Sequence, residues 1–228
     1  MLYVQDLENK IEFEYSDHLI QPNDILKINV FVENPETALA FSKSNTMQYN
    51  ESREALIFKG QSVSSQGFID YPQLGKVYVK DMSVFELQNL LKKKIINLGL
   101  LTNPVVDVKI LNLSFTVLGE VNAPGRYYFD ESNFNFLQAL GMAKDLTING
   151  NRKEIKLIRN LNGLREVYNI DLTSSKFINN PSFLIKSGDI IIVNPNLSRV
   201  KNAGIIGNSG TLLSLLSFLL SSIIIMNN

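Results

Sequence analysis

The chain has 228 residues, with 22 basic and 22 acidic side chains, one histidine and no cysteine. Zero net charge argues against a nucleic-acid binder, which needs a positive field, and the missing cysteines remove disulfide scaffolds, thiol nucleophiles and cysteine-based zinc sites. With His18 as the sole histidine, a multi-histidine zinc enzyme or a Ser-His-Asp triad lacks its material, so neither metal nor cofactor is expected.

In chain order, the N-terminal MLYVQDLENK has neither a basic n-region nor an apolar h-region. As it stands the sequence carries no export address, as expected of a mature fragment or of a protein that stays inside the cell. Residues 10–14 alternate polar and apolar, which predicts a half-buried strand. Leu19-Ile20-Gln21-Pro22-Asn23-Asp24 is turn chemistry, and the run from Ile25 predicts a strand. Residues 35–55 are polar and without period, and read as a loop. Residues 67–79 predict two short strands with glycine breaks. Ser83 and Glu86 are spaced as a capping box. The helix they open places Leu87, Leu90, Leu91, Ile95 and Leu98 on one face, and Gly99 stops it. Lys92, Lys93 and Lys94 near its end suit a solvated face favoured by the helix dipole better than an anionic partner site. Pro104 to Ile110 predicts a further strand.

A second series starts at Ser114, with a strand, a Pro124-Gly125 turn and another strand through Phe129. Arg126, Tyr127 and Tyr128 suit sugar stacking, but strand residues after a turn more often pack, and no ligand site is assigned to them. A helix over about 134–143 directs Phe136, Leu137 and Leu140 inward. Strands near 154–159 and 165–171 are split by Asn162-Gly163, a hairpin signal. A strand over 190–194 closes the series at Pro195. Leu184-Ile185-Lys186-Ser187-Gly188-Asp189-Ile190 repeats the pattern of residues 19–25, which suggests one turn-plus-strand used twice in two related β-rich units. Asp24 and Asp189 are accordingly read as structural turn acids rather than functional carboxylates.

Charge divides the chain further. Residues 1–110 carry 14 acids and 11 bases, residues 111–203 carry 8 and 11, and residues 204–228 carry none. Three parts are expected, over 1–110, 111–200 and 201–228. Residues 204–226 form a 23-residue uncharged stretch, about 34 Å long as a helix, against a hydrocarbon core of about 30 Å. A transmembrane helix is predicted, with Arg199 and Lys201 as interface anchors. Gly207, Gly210, Ser214, Ser217 and Ser221 fall at alternating spacings of three and four, a seam of small residues. Three uses fit that seam: a single anchor whose serines bond back to their own helix, close helix packing, or the wall of a water-filled lumen in a ring of helices. The expected fold class is α+β, two small β-rich domains followed by a C-terminal transmembrane α-helix.

Taken together these residues resemble the outer-membrane polysaccharide export family. The matching pieces of the first unit, its export domain, are residues 20–28, Gly67-Phe68-Ile69-Asp70-Tyr71-Pro72-Gln73-Leu74-Gly75 and the helix from Ser83 to Leu98. The second unit is similar to the SLBB β-grasp domain, through Val117-Leu118-Gly119-Glu120-Val121-Asn122-Ala123-Pro124-Gly125-Arg126-Tyr127 and Ser187-Gly188-Asp189-Ile190-Ile191. The sequence departs from the family pattern at Asn23, where glycine is usual, and at Lys144-Asp145, where a glycine pair is common. The lipidated cysteine at which mature members begin is also absent. The resemblance implies transport without chemistry: a homo-oligomeric ring, commonly an octamer, with its body in the periplasm and its C-terminal helices forming a barrel through the outer membrane of a Gram-negative bacterium. It implies a polysaccharide substrate, membrane lipid, and an inner-membrane polysaccharide copolymerase or tyrosine kinase as partners, with no nucleic acid. Gly204-x-x-Gly207-x-x-Gly210-Thr211 lacks the lysine of a phosphate-binding loop, and no motif points to an enzyme. The alternative reading is a membrane-anchored glycan-binding module without a pore.

Overall fold

The computed structural model describes residues 3–4, 6, 17–32, 52–131, 133–161, 163–196 and 209–226. The strand predicted at 10–14 and most of the predicted 35–55 loop lie outside these residues. Residues 52–55 do not form the end of a loop. Ser52 caps a short helix, α1 (Arg53–Lys59), its side chain accepting from the Ala55 N–H.

The strand expected after the first turn is β1 (Ile25–Phe31). It lies between β2 (Gln61–Ser62) and β5 (Val105–Ile110), antiparallel to both. Leu26, Ile28 and Val30 face inward, opposite Ile110, Val108 and Val106, and all six are buried. The glycine-broken segment forms a hairpin of β3 (Phe68–Tyr71) and β4 (Gly75–Tyr78).

Helix α2 (Val84–Asn97) has the expected capping box. Glu86 N donates to Ser83 Oγ at 3.2 Å, and Ser83 N donates to Glu86 Oε2 at 2.8 Å. Leu87, Leu91 and Ile95 are buried, and Leu90 packs at the edge of the same core. Leu98 is exposed, contrary to expectation. It caps the helix, and Gly99, at φ +68°, turns the chain away. Gly99 N bonds Ile96 O and Leu100 N bonds Ile95 O, a Schellman ending that takes Leu98 off the apolar stripe.

The second sheet contains β6 (Ser114–Gly119), β7 (Gly125–Tyr128), β8 (Gly150–Leu161), β9 (Leu164–Ile170) and β10 (Ile190–Pro195), in the order β7-β6-β10-β8-β9. β10 runs parallel to β6 and antiparallel to β8. Two hairpins flanking a returning central strand, with one helix between them in sequence, is the β-grasp arrangement. The β8–β9 hairpin closes on the pair Leu161 and Leu164, with Gly163 at φ +82°. Helix α3 (Phe136–Met142) is opened by Asn135 and Gln138, a capping box that the sequence reading passed over. It buries Phe136, Ala139 and Leu140, spaced one face apart. Leu137 was expected inward and is largely exposed, because it sits about 100° round the helix from Phe136. Phe115 lies at the centre of this core, against Tyr127, Phe129 and Phe134 at centroid distances of 5.4–6.0 Å.

Backbone conformation explains two sequence features. Asn23, Lys144 and Asp145, which stand where the family resemblance leads one to expect glycine, have φ of +72°, +58° and +65°. This chain adopts the left-handed conformation there with side chains that tolerate it less well than glycine. Gly119 has φ +91°, and a Cβ on it would lie 2.1 Å from the Val193 carbonyl oxygen of the neighbouring β10.

The described N-terminal residues lie against the second sheet's surroundings. Val4 N donates to Leu172 O at 2.9 Å, Asp6 accepts from Ser174 Oγ at 2.9 Å, and the Tyr3 hydroxyl donates to Asp145. The described residues do not support the predicted transmembrane helix. The described helix, α4 (Ser209–Met226), has 18 residues. Among the described residues no helix is long and apolar enough to cross a membrane. Residues 204–208 of the predicted span lie outside the described residues.

Candidate functional site

Three places hold the residues singled out by sequence. The first is the repeated turn. In the first copy Asp24 N donates to Gln21 O at 3.1 Å while Gln21 N donates to Asp24 Oδ2 at 2.9 Å. In the second copy Asp189 N donates to Lys186 O at 3.2 Å while Lys186 N donates to Asp189 Oδ2 at 2.8 Å. Each acid reaches back three residues and closes its own turn, and the residue before it (Asn23 or Gly188) has a positive φ. The two copies differ in their outer partners. Asp24 Oδ2 lies 3.4 Å from His18 Nε2. Asp189 is 1% exposed and faces Arg159, which is 2% exposed. Arg159 Nε donates to Asp189 Oδ1 at 2.9 Å and Nη2 to Oδ2 at 2.6 Å. Its remaining N–H groups reach Pro181 O at 3.0 Å and Leu184 O at 2.6 Å.

Sequence reasoning missed Arg159. The signal was present in Ile155-Lys156-Leu157-Ile158-Arg159. Strand alternation places residue 159 on the face of Ile155 and Leu157, both fully buried. A charge at an inward position requires a buried partner. The partner, 30 residues away, was not visible locally.

The second place is β7 and its junction with the first sheet. Tyr127 is a packing residue, stacked on Phe115 with its hydroxyl donating to Ala123 O. Arg126 and Tyr128 point the other way. Arg126 Nε and Nη2 donate to Ser114 Oγ at 3.1 and 2.8 Å. The guanidinium of Arg53, from α1, lies 4.5 Å from the centroid of the Tyr128 ring, and that of Arg126 lies 5.4 Å from it. Arg53 Nη2 donates to Leu111 O at 2.6 Å, in the connection between the sheets, and its Nε is buried without a hydrogen-bond partner. Asn112, beside it, accepts from Ile25 N at 2.8 Å and donates to Asn23 O at 2.9 Å. This side-chain amide fixes the connecting segment to the first repeated turn.

The third place is α4. Gly210, Ser214, Ser217 and Ser221 lie on it; Gly207, Arg199 and Lys201 lie outside the described residues. Ser217 Oγ donates to Ser214 O at 2.9 Å, Ser221 Oγ to Ser217 O, and Ser222 Oγ to Phe218 O at 2.9 Å. The hydroxyl protons are satisfied within the helix, as an apolar setting demands. Their lone pairs remain available to accept. Leu213, Leu216, Phe218, Leu219, Leu220 and Ile225 are exposed. An apolar surface of this kind is associated with a protein partner or a lipid phase.

Two family models match the chain. Residues 14–111 match the polysaccharide biosynthesis/export protein family, and residues 113–193 match the SLBB domain. The matches are separated by residue 112 alone and together support a polysaccharide export family protein. Both modules are export and binding modules and not enzyme families. No curated protein matches the chain.

Proposed function

We propose that this protein is a translocon subunit for capsular or extracellular polysaccharide, working at the outer membrane with its body in the periplasm. Proteins of the matched export family are associated with those compartments. The observation that carries the proposal is the order of parts: an export module, an SLBB β-grasp module directly after it, and then an uncharged helix with an exposed apolar surface. The division into parts over 1–110, 111–200 and 201–228 belongs to this proposal.

Several copies close into a ring, which the family resemblance puts at about eight and which a pore requires. The α4 helices gather at its membrane end. Gly207, Gly210, Ser214, Ser217 and Ser221 form either the helix-packing seam or the lumen wall, and Arg199 and Lys201 anchor at headgroups. Serine oxygens offer weak acceptor contacts to sugar hydroxyls and no charge that would trap a moving polymer. Asp24 and Asp189 serve as turn acids. The ring would receive its polymer from an inner-membrane polysaccharide copolymerase or tyrosine kinase.

The mass of the full chain in mild detergent, beside a chain truncated after Asn202, tests the reading. The expected result is a discrete ring-sized assembly that is lost on truncation. Monomers of both chains in several detergents would overturn it and leave an anchored glycan-binding module without a pore.

A further inference from the structure

Arg53, Arg126 and Tyr128 form a cationic cluster whose two arginines make no ion pair among the described residues. Two guanidinium groups lie 4.5 and 5.4 Å from the same ring centroid. Cation–π attraction accounts for each singly, at about 0.5–2 kcal/mol, but two like charges on one ring repel each other. Among the described residues, the ion pairs join His18 to Asp24, Lys80 to Asp81 and Arg159 to Asp189, and none involves Arg53 or Arg126. Glu54 is next to Arg53 in sequence; its carboxylate is held below the usual range by its own backbone N–H first, then by Ser52, with a smaller electrostatic contribution from Arg53, but it forms no ion pair with Arg53. The only acceptors of Arg53 and Arg126 among the described residues are Leu111 O and Ser114 Oγ, both uncharged. Arg53 Nε has no acceptor at all. Tyr128, at 36% exposed, is open to solvent.

We infer that this cluster is a contact site for an acidic sugar residue, one bearing a carboxylate, on the exported polymer. A carboxylate accepts from planar guanidinium N–H groups in a geometry an ammonium does not match. A phenolic hydroxyl beside the charged pair adds a hydrogen-bonding group for a ring hydroxyl. The site lies where α1 of the export module meets β7 of the SLBB module. A sugar bound there contacts both modules at the segment, Leu111–Asn112, that connects them. This inference rests on the proposed export function and adds to it a substrate class: an acidic rather than a neutral polysaccharide.

The probes are an alginate hexasaccharide, which carries a uronate on every ring, and a neutral dextran oligosaccharide of the same length. Binding to the full chain in mild detergent is measured by titration calorimetry at low and high salt. Alginate is expected to bind, to weaken with salt and to outbind dextran at least tenfold. Arg126→Gln is expected to reduce alginate affinity at least tenfold and Tyr128→Phe severalfold; because Arg126→Gln also loses both bonds to Ser114 Oγ, its thermal unfolding midpoint is measured alongside and its affinity is compared at a temperature where it is folded. Arg53→Gln is a third variant, whose loss of the Leu111 bond makes its unfolding midpoint an essential control. Equal binding of dextran, no binding of alginate, or full alginate affinity in Arg126→Gln would each overturn the inference. So would loss of self-association in Arg126→Gln without any glycan binding, which would assign the cluster to a carboxylate of a second copy. The ring-mass measurement on the same samples is independent of these results. A ring that ignores alginate removes the acidic-sugar site and leaves the export reading standing, whereas monomers remove the export reading itself.

Discussion

Removing the Arg159 side chain should be among the most damaging single changes in this protein. Arg159→Met keeps length and apolar volume but strands three groups. The Asp189 carboxylate loses both charge-assisted bonds and retains only Lys186 N, while the carbonyls of Pro181 and Leu184 lose their donors. Breaking a buried ion pair by deleting one partner costs about 3–5 kcal/mol. For a unit of this size each 1 kcal/mol moves the midpoint by about 4–8 °C, so a fall on the order of 12–40 °C is expected. Asp189→Asn should cost a similar amount by stranding the cation. The double variant should cost much less than the sum, because no charge remains buried and the Asn oxygen still accepts from Lys186 N. Its residual loss is that of the two orphaned carbonyls, about 1–3 kcal/mol each at most. Urea unfolding of the full chain in detergent, followed by far-ultraviolet circular dichroism, measures all three. Single-variant losses below about 1 kcal/mol, or losses that add in the double variant, would refute the argument that the pair is interdependent because it is dry.

Gly119→Ala should destabilise by more than about 2 kcal/mol, combining a left-handed backbone with a Cβ 2.1 Å from the Val193 carbonyl oxygen; a thermal melt unchanged from wild type would refute it. Lys144→Gly should stabilise by up to about 1 kcal/mol by relieving a φ of +58°, read as a higher urea midpoint. Burial pushes the Tyr71 hydroxyl up to about 12 from an ordinary value of 10.0. An acid whose folded pKa is raised holds its proton longer in the folded state, so its contribution is complete below about pH 10 and is lost as pH rises toward 12. Stability should therefore fall across that window, and Tyr71→Phe should flatten part of the fall. Tyr3, raised to about 12 by burial first and by the adjacent Asp145 second, adds to the same slope.

Much of the architecture was legible because it is encoded over short distances. The Ser83–Glu86 box, the glycine after α2, the Asn-Gly hairpin and the alternation in β1, β5 and β10 each act within a few residues, and backbone chemistry forces the outcome. Local reasoning erred at helix ends and on helix faces. Leu98 fits the period but lies beyond the last turn, and Leu137 is one residue off the buried face. At 52–55 a polar context concealed a serine cap.

The sequence by itself determined the kinds of element, their order, the two repeated turns and the uncharged tail, because turn chemistry, periodicity and charge are properties of neighbours. Only the tertiary structure decided that β10 returns between β6 and β8, that Arg159 meets Asp189 across 30 residues, and that Arg53 of helix α1 comes over Tyr128 of β7. These are pairings of residues far apart in the chain. They are selected by which apolar faces can be buried together and which charges can be satisfied there, and no local window contains that information.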